Sequence, residues 1–176
     1  ITFLADVLAG QKTGFFLDQR DAREAVSRVS SGKRVLNLFS YTGGFSLAAA
    51  KGGAASVTSV DVSARALDVG REAFSLNPFH MAPEECRWIR QDVFDYLGGE
   101  GAALKPDILV CDPPAFAKKR SQKDEAAAAY IRLNRACLHL LNRGGLFLTS
   151  SCSGTVTMEE FQSFIRIAAG QAGKDL

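Results

Sequence analysis

The sequence predicts an α/β fold in which a mostly parallel sheet carries helices on both faces, and two observations predict it. Short apolar runs alternate with longer stretches of helical periodicity, the pattern left by strands joined through crossover helices. At one end of each run stands a cluster of polar, glycine or proline residues: 39–44, Asp61, Asp92, 112–114 and 151–153. In open parallel sheets that end, the carboxyl end of the strands, is where ligands bind.

The elements follow in order. Residues 1–8 alternate like a strand, 10–12 turn and 14–17 return, so that a hairpin is expected to open the chain. A polar-faced helix then runs over 18–29, with Asp18 or Asp21 as its N-cap. Residues 1–31 thus form a prefix and 32–176 the core. The core opens with 35–39, too short for a helix and flanked by turn chemistry, which reads as a buried parallel strand. Thr42, Gly43 and Gly44 turn the chain into a helix over 44–51. Strand 56–60 leads to helix 63–76, strand 86–90 to helix 93–98, and strand 107–111 through a polar loop to helix 124–142. Strand 145–150 and a helix from 157 complete the series, with no internal repeat or low-complexity segment.

With 176 residues, 47% of them apolar, the chain is long enough for one well-buried domain and short for two. No run approaches the roughly 20 apolar residues of a membrane span, so no membrane partner is expected. Ile1 stands where a complete chain would have methionine, which points to a piece of something longer. Cys86, Cys111, Cys137 and Cys152 are too far apart for a Cys-x-x-Cys pair; no metal site is expected, and a reduced, cytoplasmic protein fits them. A formal net charge of +2 neither demands nor excludes nucleic acid, but Lys118, Lys119, Arg120 and Lys123 concentrate basic charge in one loop.

The rim carries the chemistry. Gly43 and Gly44 let a ligand approach the backbone beside the unpaired N–H groups of a helix start, although a tight turn alone would also use glycine. Asp61, one strand later, suits two ribose hydroxyls, which strengthens the ligand reading. Asp92 could accept from an adenine amino group or simply cap the helix at Val93. Asp112 is followed by Pro113 and Pro114, which stiffen the exit from the sheet and turn carbonyls outward beside Phe116, an arrangement suited to a flat, amide-bearing base. Three cysteines sit in apolar runs, whereas Cys152 lies among Ser150, Ser151 and Ser153, a polar setting in which a thiolate could form. His80, His139 and Trp88 read as structural.

Together these stretches resemble the class I S-adenosylmethionine-dependent methyltransferases, and more closely the bacterial ribosomal RNA large-subunit cytosine-C5 methyltransferase family. The carrying segments are KTGFFLDQR at 12–20, VLNLFSYTGGFS at 35–46, SVD at 59–61, DPPAF at 112–116 and SCSG at 151–154. The resemblance implies a Rossmann-like fold with S-adenosyl-L-methionine held by Phe39, Ser40, Tyr41, Gly43 and Gly44. It places Asp61 and Ser63 at the ribose, Asp92 and Val93 near the adenine, and Phe16, Gln19 and Arg20 beside the same pocket. Asp112, Pro113, Pro114 and Phe116 would hold the target base, Lys118 and Lys119 would meet phosphates, and Cys152 matches the nucleophile. The implied partner is RNA, 23S ribosomal RNA in particular. The resemblance further implies a preceding PUA-type RNA-binding domain, later strands of the sheet not in this sequence, and a possible homodimer. Lysine is common in the family where this chain has Ala115. The alternative is methylation of a guanine or adenine nitrogen, which needs Asp112 to Pro114 and leaves Cys152 unexplained.

Overall fold

The computed structural model describes residues 1–5, 14–117 and 119–176. Its eleven principal elements are α1 (Arg20–Val29), β1 (Arg34–Leu38), α2 (Gly44–Lys51), β2 (Ser56–Asp61), α3 (Ala64–Ser75), β3 (Cys86–Arg90), α4 (Val93–Gly98), β4 (Ile108–Cys111), α5 (Lys123–Leu140), β5 (Leu146–Thr149) and α6 (Met158–Ala172). The strands form one sheet in the order β3-β2-β1-β4-β5. Every pairing is parallel. The chain therefore runs outward from β1 to β3 and then crosses back to β4, leaving a topological switch between β1 and β4. Register aligns Leu38 with Val60 and Cys111, and Cys111 with Thr149. The residues that follow, Phe39, Asp61, Asp112 and Ser150, consequently emerge along one rim.

Alternate side chains of the strands feed two cores, as the two-residue strand period requires. On one face Leu36, Leu38, Val60, Leu109 and Cys111 pack with Val93 and Tyr96 of α4, Leu133 and Cys137 of α5, and Ala168 of α6. On the other, Val35, Val57, Ile108 and Val110 pack with Val26 of α1 and Phe45, Ala49 and Ala50 of α2. Asn37 of β1 also points to this face, where its Nδ2 donates to Ser46 Oγ at 2.8 Å. Ser46 Oγ lies 2.7 Å from Ser59 Oγ, so a buried polar clip fixes α2 over β1 and β2. At the amino ends, Asp107 accepts from Arg34 N at 3.0 Å and Asn142 Nδ2 at 2.7 Å, tying the starts of β1 and β4 to the end of α5.

The prefix differs from expectation. Residues 1–5 form no strand, and 14–17 enter a single 3-10 turn, Leu17–Gln19, instead of a returning strand; the rest of the expected hairpin lies outside the described residues. The segment is held by side chains: Asn77 exchanges 2.8 Å bonds with the N–H and C=O of Thr2, and the Phe3 and Phe15 rings meet at 4.7 Å. Neither Asp18 nor Asp21 caps α1, whose N-cap is Gln19 without a side-chain bond. Elsewhere capping matches composition. Ser63 caps α3, Asp92 caps α4, and Thr157 with Glu160 forms a reciprocal box at α6. No described helix is long and apolar enough to cross a membrane.

Candidate active site

The turn after β1 is wound unusually. Phe39 and Tyr41 have φ of 56° and 48°, and Gly43 has 74°, so alternate residues take the left-handed conformation. For phenylalanine and tyrosine that costs about 1–2 kcal/mol each, and neighbours must hold them there. Ser40 N donates to Val60 O at 3.0 Å, Tyr41 N to Asp61 Oδ2 at 2.8 Å, and Gly43 N to Ser40 O at 2.8 Å. Asp61 Oδ1 accepts from Ser63 N at 2.9 Å, so one carboxylate joins the ends of β1 and β2. Each oxygen keeps a further lone pair for a ligand hydroxyl. Gly43 is also sterically required: a Cβ there would lie 2.5 Å from the Trp88 ring, which likewise fills the space over Gly70.

This turn forms one wall of a cleft of about 620 Å³. Of the residues assigned to the cofactor, Phe39, Ser40, Tyr41, Gly44, Asp61, Asp92, Val93, Phe16 and Gln19 line it, with Phe15 of the same 15–20 segment; Val62 and Arg23, which the sequence did not single out, line it too. Asp92 caps α4, its Oδ1 accepting from Phe94 N at 2.8 Å and Asp95 N at 3.3 Å, and the residue also lines the cleft. Ser63 and Gly43 act from behind, the one on Asp61, the other against Trp88. Arg20 lies outside the cleft lining, 83% exposed in its side chain and paired with Asp21. Ser40 Oγ is buried without a hydrogen-bond partner among the described residues. A buried hydroxyl in that state calls for a ligand atom.

The opposite wall comes from β4 and β5. Asp112, Pro113, Pro114, Ala115 and Cys152 line the same cleft. Ser150 Oγ donates a short bond to Asp112 Oδ1, and Cys152 Sγ donates to Pro113 O at 3.6 Å, so the two loops are tied together beside the cleft. Ser151 Oγ donates to Tyr130 OH at 2.8 Å, and Ser153 Oγ, 2.9 Å from the same phenol, accepts from Ala117 N at 3.3 Å. Of the four cysteines only Cys152 is exposed. Burial pushes the Cys86 thiol up to about 12 and raises Cys111 well above its ordinary value, where Cys137 adds to the effect. Buried thiols of that kind are inert.

Two residues assigned to the substrate, Phe116 and Lys119, lie outside the cleft lining. Phe116 does not line the cleft but packs on Tyr130, ring centroids 4.7 Å apart, in a satellite core with Ala117, Ala126 and Phe161. Lys119 is exposed and outside the lining, and Lys118 falls outside the described residues. Lys123 is engaged by Glu160 of α6 at 2.5 Å. Among the described residues no cluster of three metal-binding side chains occurs. One missed residue had a legible signal. Arg23 and Val26 are the buried residues of α1 and stand three apart, so the arginine occupies a position on the apolar face.

Comparison with known proteins matches residues 1–162 to the family described as S-adenosylmethionine-dependent methyltransferase. The chain is 46% identical over 174 residues to ribosomal RNA large subunit methyltransferase I of Klebsiella pneumoniae (strain 342), covering 98% of this chain and 43% of that protein. It is 45% identical, with the same coverage, to the protein of that name from Escherichia coli O139:H28. It thus spans less than half the length of these curated relatives. Among solved structures, SMU.776 complexed with SAH superposes with a TM-score of 0.78 at 37% identity, over 90% of this chain and 42% of that one. A SAM-dependent methyltransferase from Agrobacterium tumefaciens gives 0.77 at 26% identity, over 94% and 54%.

Proposed function

The chain belongs to the S-adenosylmethionine-dependent methyltransferase family, and from that premise we propose that it methylates carbon 5 of a cytosine in large-subunit ribosomal RNA through a covalent adduct between Cys152 and carbon 6. The cofactor is S-adenosylmethionine, and the residues present fit it. Ser40 Oγ supplies an unpartnered buried hydroxyl, Asp61 keeps lone pairs for the ribose, and Val62 and Val93 offer apolar surface for the purine. When bound, the sulfonium supplies an electrophilic methyl group.

The observation that carries the cytosine reading is the exposed Cys152 thiol, bonded to Pro113 O on the wall that also bears Asp112. Carbon 5 of cytosine is a poor nucleophile until the ring is activated. Deprotonated Cys152 adds to carbon 6, forming the Sγ–C6 bond and pushing the electron pair of the 5,6 double bond toward carbon 5 and the N3 edge. Asp112, which also accepts from Ser150 Oγ, accepts from the exocyclic amino group. Pro113 O accepts the thiol proton's hydrogen bond before attack and aims Sγ, so the ring must lie over the Pro113–Pro114 shelf. After carbon 5 is methylated, loss of its proton to a base re-forms the double bond and expels the Cys152 thiolate. A paired base would first be swung out of its stack, and Lys119, exposed and five residues after Pro114 in the chain, suits a flanking phosphate.

The test is incubation with S-adenosylmethionine and ribosomal RNA carrying 5-fluorocytosine, read on a denaturing gel. Fluorine blocks the final elimination, so an adduct is expected from the wild type and none from Cys152→Ser. Methyl incorporation into natural RNA that survives Cys152→Ser would overturn the cytosine mechanism in favour of nitrogen methylation.

A further inference from the structure

We infer that Arg23 is the site of the cofactor's methionine carboxylate, a role that falls to this residue and not to Arg20. Arg23 is 7% exposed and lines the cleft. Its Nη1 donates to Phe16 O at 2.7 Å, and its guanidinium carbon lies 4.4 Å from the centre of the Phe15 ring. That backbone bond uses one of five N–H donors, and the ion pairs of the described residues do not include Arg23. Buried arginines are ordinarily paired, because taking a charge out of water without a counterion is costly. Burial accordingly lowers the pKa of Arg23 from its ordinary value.

The surroundings specify an anion. The Arg23 stem and the Phe15 ring converge on Gly44, the first residue of α2: a Cβ there would lie 3.2 Å from Arg23 Cδ and 3.5 Å from Phe15 Cε2. Leu47 N makes the bond to Gly43 O, so the N–H groups of Gly44, Phe45 and Ser46 precede the helical ladder. Unpaired N–H groups at a helix start and a guanidinium fork both favour a carboxylate. The unpartnered Ser40 Oγ lines the same wall and independently marks it as a ligand surface. Asp18, whose charge acts on Arg23, also lines the cleft, so this end presents one acid and one base to an amino-acid zwitterion. Arg20, by contrast, is turned to solvent against Asp21.

The inference rests on the cofactor and not on which base is methylated, so failure of the cytosine reading leaves it intact. Titration calorimetry of the chain with S-adenosylhomocysteine and with its decarboxylated analogue, which keeps the ammonium, isolates the carboxylate. The wild type is expected to prefer the carboxylate-bearing ligand by about 10- to 100-fold, the worth of one charge-assisted contact. Arg23→Met should bring that ratio close to one while binding the analogue as the wild type does. Arg23→Lys keeps the charge without the fork and should reduce the ratio several-fold; if the methionine variant does not fold, this one decides. An unchanged ratio in Arg23→Lys, or equal weakening of both ligands in Arg23→Met, would overturn the assignment. So would a ratio lost in Arg20→Met and retained in Arg23→Met. No binding of either ligand to the wild type would instead remove the cofactor reading itself.

Discussion

Phe39, Tyr41 and Gly43 share a left-handed backbone for different reasons. The two aromatics are held there by the bonds of Ser40 N, between them, to Val60 O and of Tyr41 N to Asp61, whereas the glycine adopts it without strain and also leaves room for Trp88. Gly43→Ala therefore meets two costs at once, positive φ and a methyl 2.5 Å from an indole that is itself wedged over Gly70. Together these are worth about 2–5 kcal/mol. Thermal unfolding should show the loss. Trp88→Leu in the same chain should recover only the steric part, because the backbone cost remains; full recovery would mean that φ is not a burden here.

The elements were the legible level of this molecule. Strands buried on both faces leave short apolar runs, and turns that end them leave glycine, proline and acids, so β1 to β5 and α2 to α6 fall within a few residues of their expected bounds. The prefix was not legible, because Thr2, Phe3 and Phe15 are fixed by Asn77 and by each other, contacts that leave no periodicity. The packing of Phe116 was not legible for a similar reason. An aromatic beside two prolines looks like a base platform, but the packing of α5 and α6 opens a hole around Tyr130 that claims it. The acid at the far end of the sheet makes an element-level prediction. Bonds from the Arg34 backbone and side chain, with help from Asn142, hold Asp107 at about 2, below its ordinary 3.8. Its folded pKa is depressed, so its contribution is complete above the unfolded value and is lost as pH falls from about 4 toward 2. Asp107→Asn should flatten that part of the stability–pH curve, and an unaltered slope would refute the linkage.

At the scale of the whole molecule the sheet order divides the labour. β1, β2 and β3 end in the turn and acids of one cleft wall, while β4 and β5 end in the Asp112 and Cys152 loops of the other; the switch between β1 and β4 sets the two walls against each other across one cleft. The second wall is tied to α5 through the phenol of Tyr130, fully buried and bonded to Ser151 and Ser153 on either side of Cys152, and at the end of β5 through the bond of Thr149 Oγ1 to Asn134 Oδ1. Removing the Tyr130 hydroxyl loosens the Cys152 loop without touching any residue of the first wall. Tyr130→Phe keeps the ring on which Phe116 and Phe161 pack, and forfeits two hydrogen bonds worth about 1 kcal/mol each. Formation of the 5-fluorocytosine adduct is therefore expected to slow by about tenfold, the equivalent of roughly 1.4 kcal/mol. Calorimetry should find the affinity for S-adenosylhomocysteine unchanged. A parallel fall in both would mean that the walls are not independent and that Tyr130 supports the fold as a whole, whereas an adduct rate equal to the wild type would mean that Pro113 and Asp112 hold the Cys152 loop by themselves.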